Sequence, residues 1–224
     1  MYRRLSYTLN VRDHAFPGAP TMRVEPFESM QKGDRLNTYN VTLFNHFGTH
    51  MDGPNHFNGQ GRQLYELELS TFIFEKPLLV DIPKGKGELV EPEELMRFDE
   101  AIRAADLLLV RSGFSAMRAS DNRAYSEEGP AISARAAELI VERYQNLKAV
   151  GMDWISLSSP LHLEDGIRAH QIMLGKTGAE PVLIIEDIDL SGLDPDTLET
   201  VFALPLFIEG IDSAPVTILA KIRD

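Results

Sequence analysis

The chain contains no cysteine among its 224 residues. A fold without cysteine has no disulfide, and it offers no thiolate as a metal ligand or as a nucleophile. Histidine, aspartate and glutamate are therefore the side chains left that bind a transition metal strongly. The candidate metal ligands are therefore among six histidines and 34 acidic residues.

Long apolar runs and basic clusters are also missing. No stretch approaches the roughly 18 apolar residues that a membrane helix needs. The N-terminal residues 1–10 include two arginines but no apolar region after them, unlike a signal peptide. The net charge is −12, and a chain without basic runs is a poor partner for nucleic acid or an anionic membrane. We therefore expect a cytoplasmic protein that binds neither nucleic acid nor membrane.

The chain shows no internal repeat, low-complexity tract or linker, and it has no phosphate-binding glycine loop or GxGxxG motif. Its composition, 43% hydrophobic and 25% charged, is ordinary for a globular protein. A chain of this length can bury a substantial core. We expect a single domain that spans residues 1–224.

The densest group of potential ligands is the stretch HFGTHMDGPNH at residues 46–56. It contains three histidines and one aspartate: His46, His50, Asp52 and His56. Imidazole nitrogen and carboxylate oxygen suit Zn²⁺ and Mn²⁺. Ligands this close in sequence converge on one point only if the backbone bends. Gly48 and the pair Gly53-Pro54 predict that bend.

A zincin-like helix, in which two histidines four residues apart share one face, is a second interpretation of this stretch. A helix is disfavoured here by glycine, by β-branched Thr49 and by Pro54. The general-base glutamate of zincins is also missing. Residues 39–44 before the motif alternate as a β-strand does. We therefore expect a strand that ends in a tight, ligand-bearing loop. Three unrelated surface histidines are the remaining alternative, and the clustering disfavours it.

The rest of the chain alternates predicted strands and helices. Strands are predicted at residues 5–11, 77–81, 107–110, 149–153, 181–185, 202–208 and 216–222. Helices are predicted at residues 92–105, 131–144 and 166–174, and loops at 14–26 and 121–130. This alternation predicts an α/β or mixed α+β fold.

Further candidate ligands lie in the second half of the chain. Glu186 follows the apolar run 181–185, and a carboxylate at the end of a buried strand needs a metal or a basic partner. His170 and His162 are the candidate histidine ligands of this half. We favour His170 because its apolar helical segment would fix the side chain. His14 has no such support and is expected to be an ordinary loop residue.

The stretch HFGTHMDGPNH resembles the HxGTHxDxPxH signature of the metal-dependent cyclase and kynurenine formamidase superfamily at every fixed position. Two later segments, HQIMLG and LIIEDID, resemble the distal ligand segments of that family. The resemblance implies an α/β (mixed) swivelling β/β/α fold with a mixed, barrel-like sheet core and outer helices. It implies proton transfer by His56 and metal ligation by His46, His50, Asp52, His170 and Glu186.

These ligands suit hydrolysis. A metal held by His46, His50 and Asp52 keeps open positions, unlike a closed structural zinc site. Water bound there has a pKa of about 7 rather than about 15.7, and the resulting hydroxide attacks a carbonyl. Asp52 could bridge to a second metal held by His170 and Glu186. We expect Zn²⁺, one or two per chain, with Mn²⁺ as the alternative.

The resemblance implies a metal-dependent amidohydrolase, and the leading prediction is an arylformamidase that converts N-formylkynurenine to kynurenine and formate. A different cyclic amide or polyketide-like substrate is the alternative within the superfamily. A non-catalytic metal-binding protein is the alternative outside it. The predicted partner is a small-molecule amide. Because the family's formamidases are oligomers, we expect a homodimer or homotetramer.

Overall fold

The computed structural model describes residues 1–223 of the chain. Its strands, in chain order, are β1 (Tyr2–Arg4), β2 (Arg23–Glu28), β3 (Thr38–Thr42), β4 (His50–Asp52), β5 (Ile73–Phe74), β6 (Pro77–Asp81), β7 (Leu89–Val90), β8 (Leu107–Arg111), β9 (Ala131–Ile132), β10 (Ala149–Met152), β11 (Leu183–Glu186), β12 (Leu198–Pro205) and β13 (Ser213–Ile222). Its α-helices are α1 (Pro92–Leu95), α2 (Asp99–Ala104), α3 (Ala116–Ser120), α4 (Asn122–Glu127), α5 (Ala134–Arg143) and α6 (Leu163–Met173).

One large mixed sheet organises the structure. Its strand order is β5-β12-β13-β4-β11-β10-β8-β6, with β1 paired to β13. Strands β6, β8, β10 and β11 run parallel to one another, whereas β4, β5, β12 and β13 join by antiparallel pairing. Strand β12 also contacts β6 from the opposite end of the order. The sheet therefore nearly closes, and the predicted mixed α/β fold with a barrel-like core is confirmed.

The sheet separates two hydrophobic cores. Neighbouring residues of β11 belong to different cores, because successive side chains of a strand point to opposite faces. Ile184 packs in the outer core with the helices, and Ile185 packs inside the barrel-like sheet. A strand buried on both faces reads as a continuous apolar run, which explains the sequence LII before Glu186.

Helices α5 and α6 cover the outer face and contact each other. The Ser133 hydroxyl accepts a hydrogen bond from the Ala136 backbone N–H and so caps the start of α5. Ala136, Ala137 and Ile140 of α5 are fully buried and follow helical spacing. This layer fixes α6, which carries His170. Among residues 1–223, no helix combines the length and the apolar character needed to cross a bilayer.

Several sequence predictions about local structure are wrong. The single helix predicted at residues 92–105 is two short helices, α1 and α2, separated by a 3₁₀ turn. Residues 5–11 do not form the first strand, and only Ser6 makes an isolated bridge, to Ile188. The predicted loop 121–130 contains α4, which begins because the Asp121 carboxylate accepts a hydrogen bond from the Ala124 N–H. The predicted loop 14–26 includes the start of β2. These segments are short and largely polar, so their sequences carry no hydrophobic periodicity from which the elements could be predicted.

The strand predicted before the histidine motif exists as β3, but it lies outside the large sheet. It pairs with β2 in a two-stranded hairpin, in which Val24 lies opposite Val41 and Pro26 opposite Tyr39. These four apolar side chains share one face of the hairpin. That face is open to solvent, with Val41 and Tyr39 each 57% exposed.

Candidate metal centre and active site

Strand β4 contains the middle of the histidine motif and lies between β11 and β13. His50 and Asp52 point to one face because they are two residues apart, and Met51 points into the inner core. Glu186 lies opposite His50 in the β4–β11 register. Its Oε2 atom is 3.2 Å from His50 Nε2. Pairing on both sides makes this segment a strand, so the predicted ligand-bearing loop is wrong for His50 and Asp52.

The two glycines of the motif act differently. Gly48 has a φ of 66°, a left-handed conformation that supplies the predicted bend before β4. Gly53 has an extended backbone, with a φ of −90°. It is required for space, because a Cβ atom there would lie 2.6 Å from the Asp212 carbonyl oxygen. Pro54 then begins a short 3₁₀ turn that ends at His56.

Two buried histidines are held with one nitrogen facing the carboxylates. The Nδ1–H of His50 donates to the Gly48 carbonyl at 2.8 Å, and that of His170 donates to the Gly166 carbonyl at 2.8 Å. A carbonyl only accepts, so Nε2 of each ring is the nitrogen left to bind a metal. His170 Nε2 lies 3.6 Å from Glu186 Oε1 and 3.8 Å from Asp52 Oδ2.

Glu186 is fixed from the opposite side of its carboxylate. Its Oε1 atom accepts hydrogen bonds from the Ser156 hydroxyl at 3.1 Å and from the Leu157 N–H at 2.6 Å. The residue is only 3% exposed. The predicted need for a partner is therefore met by these two donors, and the imidazoles of His50 and His170 lie 3.2 and 3.6 Å from the carboxylate without a well-directed hydrogen bond.

Three buried polar atoms at this site lack a hydrogen-bond partner within residues 1–223: His50 Nε2, Asp52 Oδ1 and Asp52 Oδ2. His46 Nδ1 lies 3.0 Å from Asp52 Oδ1 without a well-directed hydrogen bond. Unpartnered buried polar atoms are costly, and a cation bound among them would satisfy all three. Imidazole nitrogens and carboxylate oxygens are a donor set for Zn²⁺ or Mn²⁺. The residues present therefore fit a divalent transition metal.

The ligand atoms form two overlapping groups that share Asp52. One group is His50, Asp52 and Glu186, and the other is His46, Asp52 and His56. Within each group the candidate atoms lie within 4.8 Å of one another. The predicted grouping of His46 with His50 and Asp52 stays a prediction, and the structure adds Glu186 beside His50. It also brings His56 beside His46, with ring centroids 4.2 Å apart.

Asp212 is a residue of this site that the sequence did not reveal. Its Oδ2 atom lies 2.9 Å from His46 Nε2 and 2.6 Å from His56 Nδ1. The Asn45 side-chain amide donates to the other oxygen, Oδ1, at 2.7 Å. Asp212 precedes β13 by one residue, and an aspartate beside a strand carries no local signal of function.

The carboxylates raise the affinity of the histidines for protons. Burial would lower the pKa of His46, but the neighbouring Asp212 and Asp52 carboxylates raise it to about 10. Burial also opposes protonation of His50 and His170, yet contact with Glu186 raises the pKa of both. In turn, burial would raise the pKa of Glu186, and the two imidazoles lower it to about 2. Without metal, the carboxylates therefore favour a proton on His46 near neutral pH.

A cavity of about 240 Å³ opens on this cluster. Its metal-binding wall is polar, and its other walls are mainly apolar, formed by Ala15, Phe16, Ala19, Phe44, Phe57, Ile155, Leu163 and Ile167. His14, predicted to be an ordinary loop residue, also lines the cavity. His162 does not line it. That ring is on the surface, 2.9 Å from the Gly87 carbonyl, so of the two distal candidates only His170 reaches Glu186.

A model of the Cyclase family, described as "Putative cyclase", matches residues 4–159. This chain belongs to the Cyclase family. The matched region includes the histidine motif and ends before His170, Glu186 and Asp212. The family match therefore includes the site residues of β4. The site residues of α6, of β11 and of the segment just before β13 lie outside the matched region.

Curated relatives of the family have diverse names. The chain is 32% identical over 108 residues to an uncharacterised protein of Haemophilus influenzae, covering 48% of this chain and 76% of that protein. It is 26% identical to cyclase-like protein 1 of Arabidopsis thaliana, covering 84% of this chain and 70% of that one. It is 25% identical to the kynurenine formamidase of Bacillus thuringiensis subsp. konkukian, covering 97% and 95%.

Solved structures share the fold at low sequence identity. Isatin hydrolase A from Labrenzia aggregata superimposes with a TM-score of 0.82 at 19% identity, covering 100% of this chain and 94% of that one. A predicted metal-dependent hydrolase from Bacillus stearothermophilus gives a TM-score of 0.75 at 18% identity, covering 98% and 97%. At these identities the likeness establishes the fold of this Cyclase family member.

Proposed function

We propose that this chain is a metal-dependent amidohydrolase whose leading substrate is N-formylkynurenine, cleaved to kynurenine and formate. One observation carries the proposal: His50 Nε2 and both Asp52 oxygens are buried without hydrogen-bond partners within residues 1–223, at the wall of a small apolar cavity. Membership of the Cyclase family and similarity to proteins named kynurenine formamidase support it.

The residues that would hold one or two Zn²⁺ or Mn²⁺ ions are His46, His50, Asp52, His170 and Glu186. A bound metal would lower the pKa of a bound water and polarise the amide carbonyl. The protein's own contribution is orientation. The Gly48 and Gly166 carbonyls fix the rings of His50 and His170, and Ser156 fixes Glu186.

His56 acts as the general acid in this proposal. Its Nδ1–H donates to Asp212 at 2.6 Å, which leaves Nε2 as the nitrogen that serves the substrate. His56 Nε2 takes a proton from the attacking water as the water oxygen adds to the formyl carbon, and it returns that proton to the leaving amine as the C–N bond breaks. The departing amine needs that proton because an amide anion is a very poor leaving group. The products are formate and the free aryl amine.

A neutral cyclic amide is the second candidate substrate. Within residues 1–223, the cavity lining contains neither lysine nor arginine. N-formylkynurenine has an ionised carboxylate with which no lysine or arginine of this lining can pair, whereas a neutral ring needs no counter-charge. Structural similarity to isatin hydrolase favours the same candidate.

A substrate panel tests the proposal. Protein loaded with Zn²⁺ or Mn²⁺ is assayed against N-formylkynurenine, formanilide, isatin and a lactone, and its metal content is measured in parallel. We expect hydrolysis of at least one amide, loss of activity with a chelator, and recovery on adding metal. Activity on isatin alone selects the second candidate. Metal binding without turnover of any amide or lactone indicates a non-catalytic metal-binding protein.

We also propose that the chain forms a homodimer or homotetramer. The apolar face of the β2–β3 hairpin, which includes Val41 and Tyr39, is exposed. A two-stranded hairpin is marginally stable alone, so a second copy that covers this face would stabilise it. Light scattering should give a mass above that of one chain. Tyr39→Glu should lower that mass, whereas Asn40→Glu on the opposite face should not.

A further inference from the structure

Arg118 of α3 joins three separate parts of the chain. Its guanidinium donates to both Asp187 carboxylate oxygens, at 3.0 and 3.2 Å, and to Asp13 Oδ2 at 2.9 Å. Its guanidinium carbon also lies 4.0 Å from the centre of the Tyr7 ring. The side chain is only 16% exposed. A guanidinium with several donors in a fixed plane can hold two carboxylates at once, which a lysine ammonium does poorly.

One partner of Arg118 belongs to a segment that forms a wall of the cavity. His14, Ala15, Phe16 and Ala19 line the cavity from residues 10–19. Within the described chain, the hydrogen bonds inside this segment are local, such as Asp13 N–H to the Asn10 carbonyl and Ala19 N–H to the Phe16 carbonyl. The hydrogen bond that leaves residues 10–19 runs from Arg118 to Asp13. Phe16 adds apolar contact with the outer core.

The other partner, Asp187, is fixed independently of Arg118. Its Oδ1 atom accepts from the Tyr125 hydroxyl at 2.7 Å, and its backbone carbonyl accepts from the Thr49 hydroxyl at 2.6 Å. Asp187 is 3% exposed. Removing the guanidinium therefore leaves the Asp187 carboxylate bonded to the Tyr125 hydroxyl and its backbone carbonyl bonded to the Thr49 hydroxyl. Residues 10–19, in contrast, lose the side-chain hydrogen bond that joins them to the rest of the described chain. The effect should fall on the cavity wall, and the metal ligands should keep their positions.

We propose that Arg118 is a positioning residue that holds residues 10–19 against the cavity and so fixes the wall on which the substrate binds. Arg118 does not itself line the cavity, so it acts through Asp13 and the segment around it. The catalytic readout of this inference rests on the proposed amide hydrolysis. The mobility of residues 10–19 and the metal content can be measured without any substrate.

The test compares Arg118→Gln with the parent in the full-length, metal-loaded protein, with formanilide as the substrate. We expect faster hydrogen–deuterium exchange in residues 10–19 and unchanged metal content. We also expect KM to rise about 10- to 100-fold with a much smaller change in kcat, the scale on which loss of a charged hydrogen bond changes an equilibrium. Arg118→Lys should restore part of the loss.

Asp13→Asn removes the negative charge at the segment's end of the same contact and leaves the Arg118–Asp187 pair intact. It should shift exchange and KM in the same direction, and the double variant should add little, because both changes break one interaction. If Arg118→Gln fails to fold, Asp13→Asn still tests whether the Arg118–Asp13 contact positions residues 10–19. Arg123→Gln is the matched control, since Arg123 is 77% exposed and pairs with Glu127 on the surface. It should match the parent.

Unchanged exchange and unchanged KM in both Arg118→Gln and Asp13→Asn would overturn the inference. Loss of metal from Arg118→Gln with the exchange of residues 10–19 unaltered would also overturn it. If the parent does not hydrolyse formanilide, the exchange measurement still decides: faster exchange with retained metal supports the role of Arg118, and parent-like exchange refutes it.

Discussion

His56 Nδ1 lies 2.6 Å from Asp212 Oδ2, and the same oxygen lies 2.9 Å from His46 Nε2. One carboxylate outside the histidine motif thus orients two imidazoles inside it. The Asp212 carbonyl also accepts the Gly53 N–H at 3.1 Å, which ties the start of β13 to the end of β4. The position of a proposed metal ligand and that of the proposed general acid therefore depend on the same residue.

Asp212→Asn should lower kcat/KM by about 10- to 100-fold, the usual effect of removing a carboxylate that orients a metal-binding histidine. Asparagine keeps the size of the side chain but loses the negative charge that faces His46 and His56. Steady-state kinetics and a metal titration measure the two consequences separately. Asp196→Asn, at an exposed site, is the control and should match the parent. Parent-like activity of Asp212→Asn would contradict the orienting role.

His56→Ala should lower amide hydrolysis by about 10²- to 10⁴-fold, the typical contribution of a general acid–base group. Metal content and thermal stability should stay close to those of the parent. The loss should be smaller for an activated aryl ester, because its leaving group departs without a proton. Elemental analysis and rate measurements on both substrates check this.

The competing outcome for His56 follows from its position beside His46 and Asp52. If His56→Ala loses metal as readily as His50→Ala, then His56 is a ligand and the proton comes from another group. Parent-like rates on every substrate would exclude both roles.

The histidine motif was visible in the sequence because its ligands lie close together along the chain. What the sequence did not show was how these ligands are grouped. His50 meets Glu186 across a strand pair, and that neighbour depends on the order of strands in the sheet. Strand β4 has only three residues, too few for a periodic pattern, so a loop was predicted in its place.

The positions of Asp212 and His14 near the proposed site were not predictable from the sequence, for a related reason. Each is an isolated polar residue in a segment without periodicity, and each reaches the site only through tertiary packing. The buried strands and helix α6 were predictable, because apolar runs and helical spacing are local properties. Glu186 could be selected for the same reason: a carboxylate directly after a buried apolar run is conspicuous in any sequence.

His50→Ala and Asp52→Ala should each remove metal and activity together, since both residues contribute unpartnered atoms to the buried cluster. Glu186→Gln should weaken metal binding and activity as well. Elemental analysis after dialysis and activity with added metal provide the measurements. His162→Ala is the matched histidine control, because His162 lies on the surface away from the cavity. If Glu186→Gln keeps full metal content and activity, Glu186 is not a ligand.

Metal binding should release protons from the site. Carboxylate neighbours raise the pKa of His46 to about 10 and also raise the pKa of His50 and His170. Near neutral pH the metal-free site therefore holds a proton on His46, whereas a metal-bound imidazole nitrogen has none. Since the bound state holds fewer protons than the free state, metal affinity should increase as pH rises from about 6 to about 8.

Isothermal titration calorimetry of the metal-free protein with Zn²⁺ or Mn²⁺ measures this release. Buffers of different ionisation enthalpy at the same pH should give different apparent heats, with a slope of at least about one proton per metal. His46→Gln should lower the slope because it removes the protonated ring, and His162→Gln should leave it unchanged. A heat that is independent of buffer, together with a constant affinity across that pH range, would mean that the histidines are unprotonated before the metal binds. The carboxylates around them would then not control their charge.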